Sequence, residues 1–525
     1  MVGHKKVFLR KTVGFLFFVM LHLAGGVHES AAIQTTLERS AYTRPSSSSG
    51  ISAFLSMLSD RHPSAEKVTI AVSALGNPVE ALLVSSDRDW IRGGKGGEDK
   101  LTVMLVGSQH GKETSGAEAL LLVARDILEG NRLSHIEDMH FLFIPNANPD
   151  GRNLKRRRNG NGVNLNRNYT ILSEPESRGI LNALHRWKPH VVLDVHESAA
   201  LKKKSLGAQG YLTEFEAQFE AANNPNVNRD IRHYSFMELL PEILRQVNAR
   251  GLAAQRYIKE IGSIHEPVAH GSLSLELLRN RAGIMGAFSF LLENRFDPST
   301  GTYPTPRNIR ARVSKQYLSI KTFLECSGAR RYEIMTLSRN ARWGWKNPKD
   351  NEPLYLSFGY FADPNALEIK LPLRRIDSGR PTRRTFRYLG AVESGTPLAL
   401  SHSYVINGHQ RLMQDILTRH HIRYRRLERI TEAVVPRRRV NDRGSAMGRL
   451  GKGRLEYSFQ ERTTDYLCRP GDLLVDLNQP AQRLIPLLLE FRSDDNIFSN
   501  DDYIYLVENQ KDFLVLPIRR LTQNE

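Results

Sequence analysis

The stretch "VGSQHGKETSG", Val106 to Gly116, carries His110 and Glu113, a nitrogen donor and a carboxylate separated by two residues. The apolar run Leu101 to Leu105 before it reads as a buried strand, and the small and helix-forming residues after it as a helix start. The pair therefore sits at the lip where a strand gives way to a helix. A hydrolytic zinc site takes three protein ligands and leaves one position open for water. His110 and Glu113 supply two of the three, and the third belongs at the end of another strand, because open α/β sheets build their sites at strand carboxyl ends. "HVVLDVHES" meets that need: the apolar strand His190 to Val195 delivers His196 at its C-terminal lip.

Two further segments add charge where such a site would use it. "FIPNANPDGRNLKRRRNGNGVNLNRNY" lies between the ligand segments, and its Asn and Gly content predicts tight, positive-φ turns. It carries Arg156, Arg157, Arg158 and Arg167. Arginine holds a carboxylate through two parallel hydrogen bonds and stays charged at any working pH, so these residues could clamp a free C-terminus. "FSFLLENR" reads as a buried strand ending in Glu293, placed to accept a proton from an attacking water. Taken alone, Glu293 could also serve as an ion-pair partner of Arg295, a weaker reading than the catalytic one.

The ordered set His-Gly-Lys-Glu, "NPDG", "GVNLNRN", "DVH" and "FSFLLEN" resembles the zinc metallocarboxypeptidases of the carboxypeptidase A type, from about Ile51 to Asn294. The resemblance implies a carboxypeptidase-like fold, one Zn²⁺ per chain on His110, Glu113 and His196, and Glu293 as general base. It implies that Asn166 and Arg167 bind the terminal carboxylate of a peptide or peptide-like substrate. It also implies that one Arg of "KRRRN" polarises the scissile carbonyl; the offset to "GVNLNRN" favours Arg157, with Arg156 and Arg158 as alternatives. The chain departs from the family in having Asn164 where Asp is usual, and it has no Tyr between Val268 and Phe290 to match the family's mobile tyrosine, leaving Tyr257 as a weak substitute. The resemblance implies that specificity is set roughly 15 residues before the base, where Leu278 is followed by Arg279 and Arg281; either pointing into the pocket would favour an acidic terminal residue.

The elements that must position these residues follow from the alternation of strand-like and helix-like stretches. "KVTIAV", "EALLVSS", "KLTVMLVG", "MHFLFIPN", "HVVLDVH" and "GAFSFLLEN" read as strands. "TSGAEALLLVARDILEG" and the region through "YSFMELLPEILRQVNARGLAAQRYIKEI" read as helices. This predicts an α/β domain with a mixed, mostly parallel sheet flanked by helices, followed by a smaller β-rich α+β domain. The expected boundaries are a signal peptide at 1–32, a flexible approach segment at 33–50 around "RPSSSSG", the catalytic domain at 51–325 and an accessory domain at 326–525. Within the last, "VNDRGSAMGRLGKGRLEY" reads as a Gly-rich basic loop.

The chain of 525 residues is 40% hydrophobic and 25% charged, a globular composition. Its start pairs basic residues with "VGFLFFVMLHLAGG", an apolar stretch of about 14 residues, shorter than the ~20 a span needs. It fits a secretory signal, so a secreted or periplasmic protein is expected. The 74 Lys and Arg against 56 Asp and Glu leave +18, which favours contact with an anionic cell surface. No aromatic-interleaved basic pattern points to nucleic acid. Only Cys326 and Cys468 are present, which excludes Cys-rich metal sites and leaves either one disulfide or two buried thiols. Two other readings compete with the peptidase: a hydrolase of peptidoglycan peptides or N-acyl-amino acids, and a non-catalytic protein that binds an anionic surface.

Overall fold

A computed structural model describes residues 33–522 apart from 94–98, 131–135, 297–307, 344–351, 399, 448–452, 509–513 and 519. The signal expected at 1–32 lies outside the described residues. Ten strands precede the last third of the chain: β1 Ala65–Val72, β2 Pro78–Val84, β3 Leu101–Gly107, β4 Met139–Ile144, β5 Val191–Ala199, β6 Tyr211–Thr213, β7 Ala217–Ala221, β8 Ala254–Arg256, β9 Val268–Ala269 and β10 Phe288–Phe296. Eight of them form one sheet in the order β1-β2-β4-β3-β5-β10-β7-β8. Its centre, β4-β3-β5-β10, is parallel throughout, while β1, β2 and β7 pair antiparallel.

The central strands are apolar because both their faces are covered. Every residue of β3 and β4 is buried. One face packs with the helix Pro175–Trp187, whose Ile180, Leu181, Leu184 and Trp187 join Met104, Leu142 and Val192 in one cluster. The chain leaves β3, places β4 on one side of it and returns with β5 on the other. The crevice where strand order reverses therefore opens at the carboxyl ends of β3 and β5, the usual position of an α/β site.

Several expectations need correction. The segment 33–50 is packed, not a loose approach: Leu37 is buried in the short helix Thr36–Arg39, which Thr35 and Glu38 close with a capping box. The Ser-rich run is a helix start, with the Ser47 hydroxyl accepting from Gly50 N–H ahead of the helix Ser48–Arg61. Serine favours that position because its oxygen satisfies an otherwise free N–H. The long helical region ends at Ala249, and Gly251 at φ +83 turns the chain into β8, the sheet's edge strand. Of the basic Gly-rich stretch, Val440–Met447 and Gly453–Tyr457 lie in a long antiparallel pair, Thr431–Met447 with Gly453–Cys468, and 448–452 lie outside the described residues.

Residues beyond Cys326 are built into the same body. The proposed boundary at 325/326 falls inside the helix Ile309–Ala329. The strand Glu368–Arg375 pairs with β6, and Pro381–Leu389 pairs with β9. Ile171 and Leu275 share a hydrophobic cluster with Met413, Leu417 and Leu488. The Asp495 carboxylate accepts from the Ser274 hydroxyl (2.8 Å) and Leu275 N–H (2.7 Å). Cys326 and Cys468 are both buried free thiols, so the disulfide alternative is not realised. Among the described residues no helix is long and apolar enough to cross a membrane.

Candidate metal centre and active site

His110 and Glu113 lie on the turn between β3 and the helix Thr114–Leu128, and His196 lies on β5. Gly111 makes that turn possible. A side chain there would meet the Gly151 backbone at 2.0 Å, so the approach of the 151–158 loop demands glycine. His110 Nδ1 stands 2.8 Å from Glu113 Oε1, His196 Nδ1 stands 2.9 Å from Glu113 Oε2, and the two Nδ1 atoms are 3.1 Å apart. Ligands about 2.0–2.1 Å from a tetrahedral zinc are separated by roughly 3.3 Å, so this donor set fits the ion in both chemistry and size.

The far nitrogen of each histidine is held by an acceptor, which fixes the tautomer that turns Nδ1 inward. His196 Nε2 lies 2.9 Å from Asp194 Oδ1, and His110 Nε2 lies 3.0 Å from Asn164 Oδ1. The Asn164 departure therefore keeps the acceptor and removes its charge. Gln109 donates to Asp194 at 2.7 Å and itself accepts from the Tyr169 hydroxyl at 2.8 Å. Behind β5, Gln316 donates to His196 O, and Arg312 binds Glu197 through two hydrogen bonds of 2.7 Å. Asp194, Gln109, Tyr169, Arg312 and Gln316 carry no separate signal in the sequence, where each reads as an ordinary strand, loop or helix residue.

Burial opposes charge on the three donors, and their mutual contacts counter it. Burial lowers the His110 pKa. For His196, Asp194 and Glu113 overcome burial and hold the pKa well above the ordinary value, while the two histidines hold the Glu113 carboxyl well below it.

Parallel pairing places Glu293 of β10 directly beside His196 of β5. Its Oε2 is buried and has no hydrogen-bond partner among the described residues. Burial pushes this carboxyl up to about 7, with Glu113 adding to the rise and His196 opposing it. Arg295, the alternative partner for Glu293, lies 3.7 Å from Glu216.

Of the three consecutive arginines, only Arg157 reaches the ligands, donating from Nη1 to Glu113 Oε1 at 3.0 Å with its side chain 44% exposed. Arg156 caps the carbonyls of Asn159 and Gly160, and Arg158 that of Gly162. Asn166 is buried: its Nδ2 donates to Asp194 Oδ2 at 3.1 Å, and its Oδ1 accepts from Leu278 N–H at 3.0 Å. Arg167 faces outward, paired with Glu276 at 3.0 Å. Arg279 is buried, donating to Asn223 and Ser272 O, and Gly271 lies beside both its guanidinium and the Tyr257 ring. Burial first, then the charge of Glu293, raises the Tyr257 pKa, so this tyrosine shares the neighbourhood of the base. Arg281 turns into the core.

Residues 51–311 match the zinc carboxypeptidase family. By that domain, the chain belongs to the zinc carboxypeptidase family. Carboxypeptidase 2 of Trichophyton rubrum is 27% identical over 201 residues, which is 37% of each chain. A probable carboxypeptidase 2 of Arthroderma benhamiae is 28% identical over the same length, 37% of this chain and 38% of that one. The match thus spans under two fifths of these relatives. A metallo-carboxypeptidase from Burkholderia cenocepacia has a TM-score of 0.42 and 16% identity over 55% of this chain and 70% of that one. His110, Glu113, His196 and Glu293 all fall within the matched residues.

Proposed function

We propose that the protein is a zinc-dependent carboxypeptidase that hydrolyses the last peptide bond of substrates with a free C-terminal carboxylate. The observation that carries this reading is the convergence of His110, Glu113 and His196 beside Glu293, whose buried Oε2 has no hydrogen-bond partner among the described residues. Zinc bound by the three donors would supply Lewis acidity and a water of lowered pKa.

The chain's own groups do the rest. Glu293 accepts a proton from the attacking water and returns it to the leaving amine. Arg157, mobile enough at its exposed position to leave Glu113, stabilises the negative charge that develops on the carbonyl oxygen. Arg167 exchanges Glu276 for the substrate carboxylate, and Asn166 positions it through the bonds to Asp194 and Leu278. The N-terminal apolar stretch supports an exported enzyme, and the basic surplus suits acidic surfaces.

The test compares peptides ending in a free acid with the same peptides ending in an amide, using metal-loaded and chelated protein. Release of one residue from the free acids alone, lost on chelation, is the expected result. Bound zinc without peptide hydrolysis would contradict the peptide reading and favour peptidoglycan peptides or N-acyl-amino acids.

A further inference from the structure

Among the described residues Arg281 is the largest fully buried side chain, 1% exposed, and none of its three guanidinium nitrogens has a hydrogen-bond partner there. It sits on the helix Leu278–Ile284, which carries none of the metal ligands. Leu278 and Ala282 of that helix pack with Leu181 and Leu184 on the helix Pro175–Trp187. Ile284 packs against the cluster that contains Leu417 and Ile422. These packed helices bring the arginine close enough to His185, His420 and His421 for its charge to bear on all three. Two more buried nitrogens in this group lack partners, His185 Nε2 and His420 Nδ1. The His185 and His421 rings lie 3.9 Å apart, and His421 Nε2 is taken by Asn182 Oδ1 at 2.8 Å.

A guanidinium out of water without an anion costs several kcal/mol, so buried arginines are normally paired. No carboxylate bears on Arg281: burial alone draws its pKa down to about 9. Its charge in turn reinforces burial in lowering His185, to about 3, His420 and His421. The cluster is therefore a buried region of positive potential with no carboxylate to balance it.

We infer that Arg281, with His185 and His420, forms a buried binding site for a small monovalent oxyanion. The guanidinium fork offers two parallel N–H donors to a planar oxyanion. Thr170 O, 3.1 Å from His420 Nε2, can only accept, so Nε2 carries the proton and Nδ1 presents a lone pair. An oxyanion that keeps one hydroxyl, such as hydrogencarbonate, answers both the fork and that lone pair. The same helix begins at Leu278, whose N–H is held by Asn166, so the anion would sit under the element that anchors the proposed carboxylate clamp.

The experiment measures thermal unfolding of the full chain in decarbonated buffer at mildly alkaline pH. Hydrogencarbonate is titrated against gluconate, a bulky monoanion, at constant ionic strength. The expected result is a Tm that rises with the logarithm of hydrogencarbonate concentration in the wild type, does not respond to gluconate, and is flat in Arg281→Met. Equal responses to both anions would overturn the site. Should Arg281→Met fail to fold, a wild-type crystal grown with hydrogencarbonate decides: trigonal density at the guanidinium supports the inference, and ordered water alone there refutes it.

Discussion

Glu293 resists ionisation because it is buried next to Glu113, which leaves its carboxyl near 7 in the metal-free protein. A base works only when deprotonated, so kcat/KM falls as pH drops through its pKa. Cation binding by the neighbouring donors favours the anion, which places the acid limb of the loaded enzyme below about 7; a pH profile with no acid limb between 4 and 7 would contradict this. Arg157→Met should lower kcat by about 10²–10³ with zinc retained, since one donor to a developing oxyanion is worth about that much. Unchanged kcat would transfer the role to another cation. The metal ligands were legible in the sequence because they sit next to strand ends in a recognisable order. Their supports were not: Asp194 sits in the "DVH" motif but reads as one polar residue in an apolar strand. The separation of Asn166, turned inward, from Arg167, turned outward, depends on contacts with Leu278 over a hundred residues away.

The turn after β3, the end of β5 and the helix Ile309–Ala329 act together on the site. Asn164 orients His110 without the charge a carboxylate would bring, so Asn164→Ala should weaken zinc binding by about 10–100-fold while Asn164→Asp retains it. Competition with a chromophoric chelator measures both. Arg312 is the partner of the buried Glu197, whose N–H also donates to Glu113. Removing Arg312 leaves a buried carboxylate unpaired, and Arg312→Ala should cost about 3–5 kcal/mol in urea unfolding. A loss below 1 kcal/mol would show that Glu197 finds another partner. Strands and helices near the site follow the apolar runs of the sequence closely. The exceptions are elements decided by distant partners: β8 exists because β7 offers it an edge, and "AQRYIKEI" carries no local sign of that edge.

The whole molecule differs most from its sequence reading in the last third of the chain. The change of texture near residue 330 suggested a separate domain, yet β6 and β9 each take a partner strand from residues 368–389, and Asp495 fixes the loop that leads into the helix carrying Leu278. Pairing between strands more than a hundred residues apart leaves no short-range pattern, which is why the boundary misled. A truncation at Ala329 should therefore be insoluble, because it exposes Leu275 and Ile171 and leaves two strand edges open. A soluble, monomeric fragment by size exclusion would contradict that account.

The measurement that bears most directly on the catalytic assignment is the turnover of Glu293→Gln with its zinc content determined on the same sample. The account predicts one zinc per chain, bound as in the wild type, with kcat for a free-acid peptide reduced about 10²–10⁴-fold and KM little changed. Full zinc occupancy with wild-type kcat would contradict Glu293 as the base.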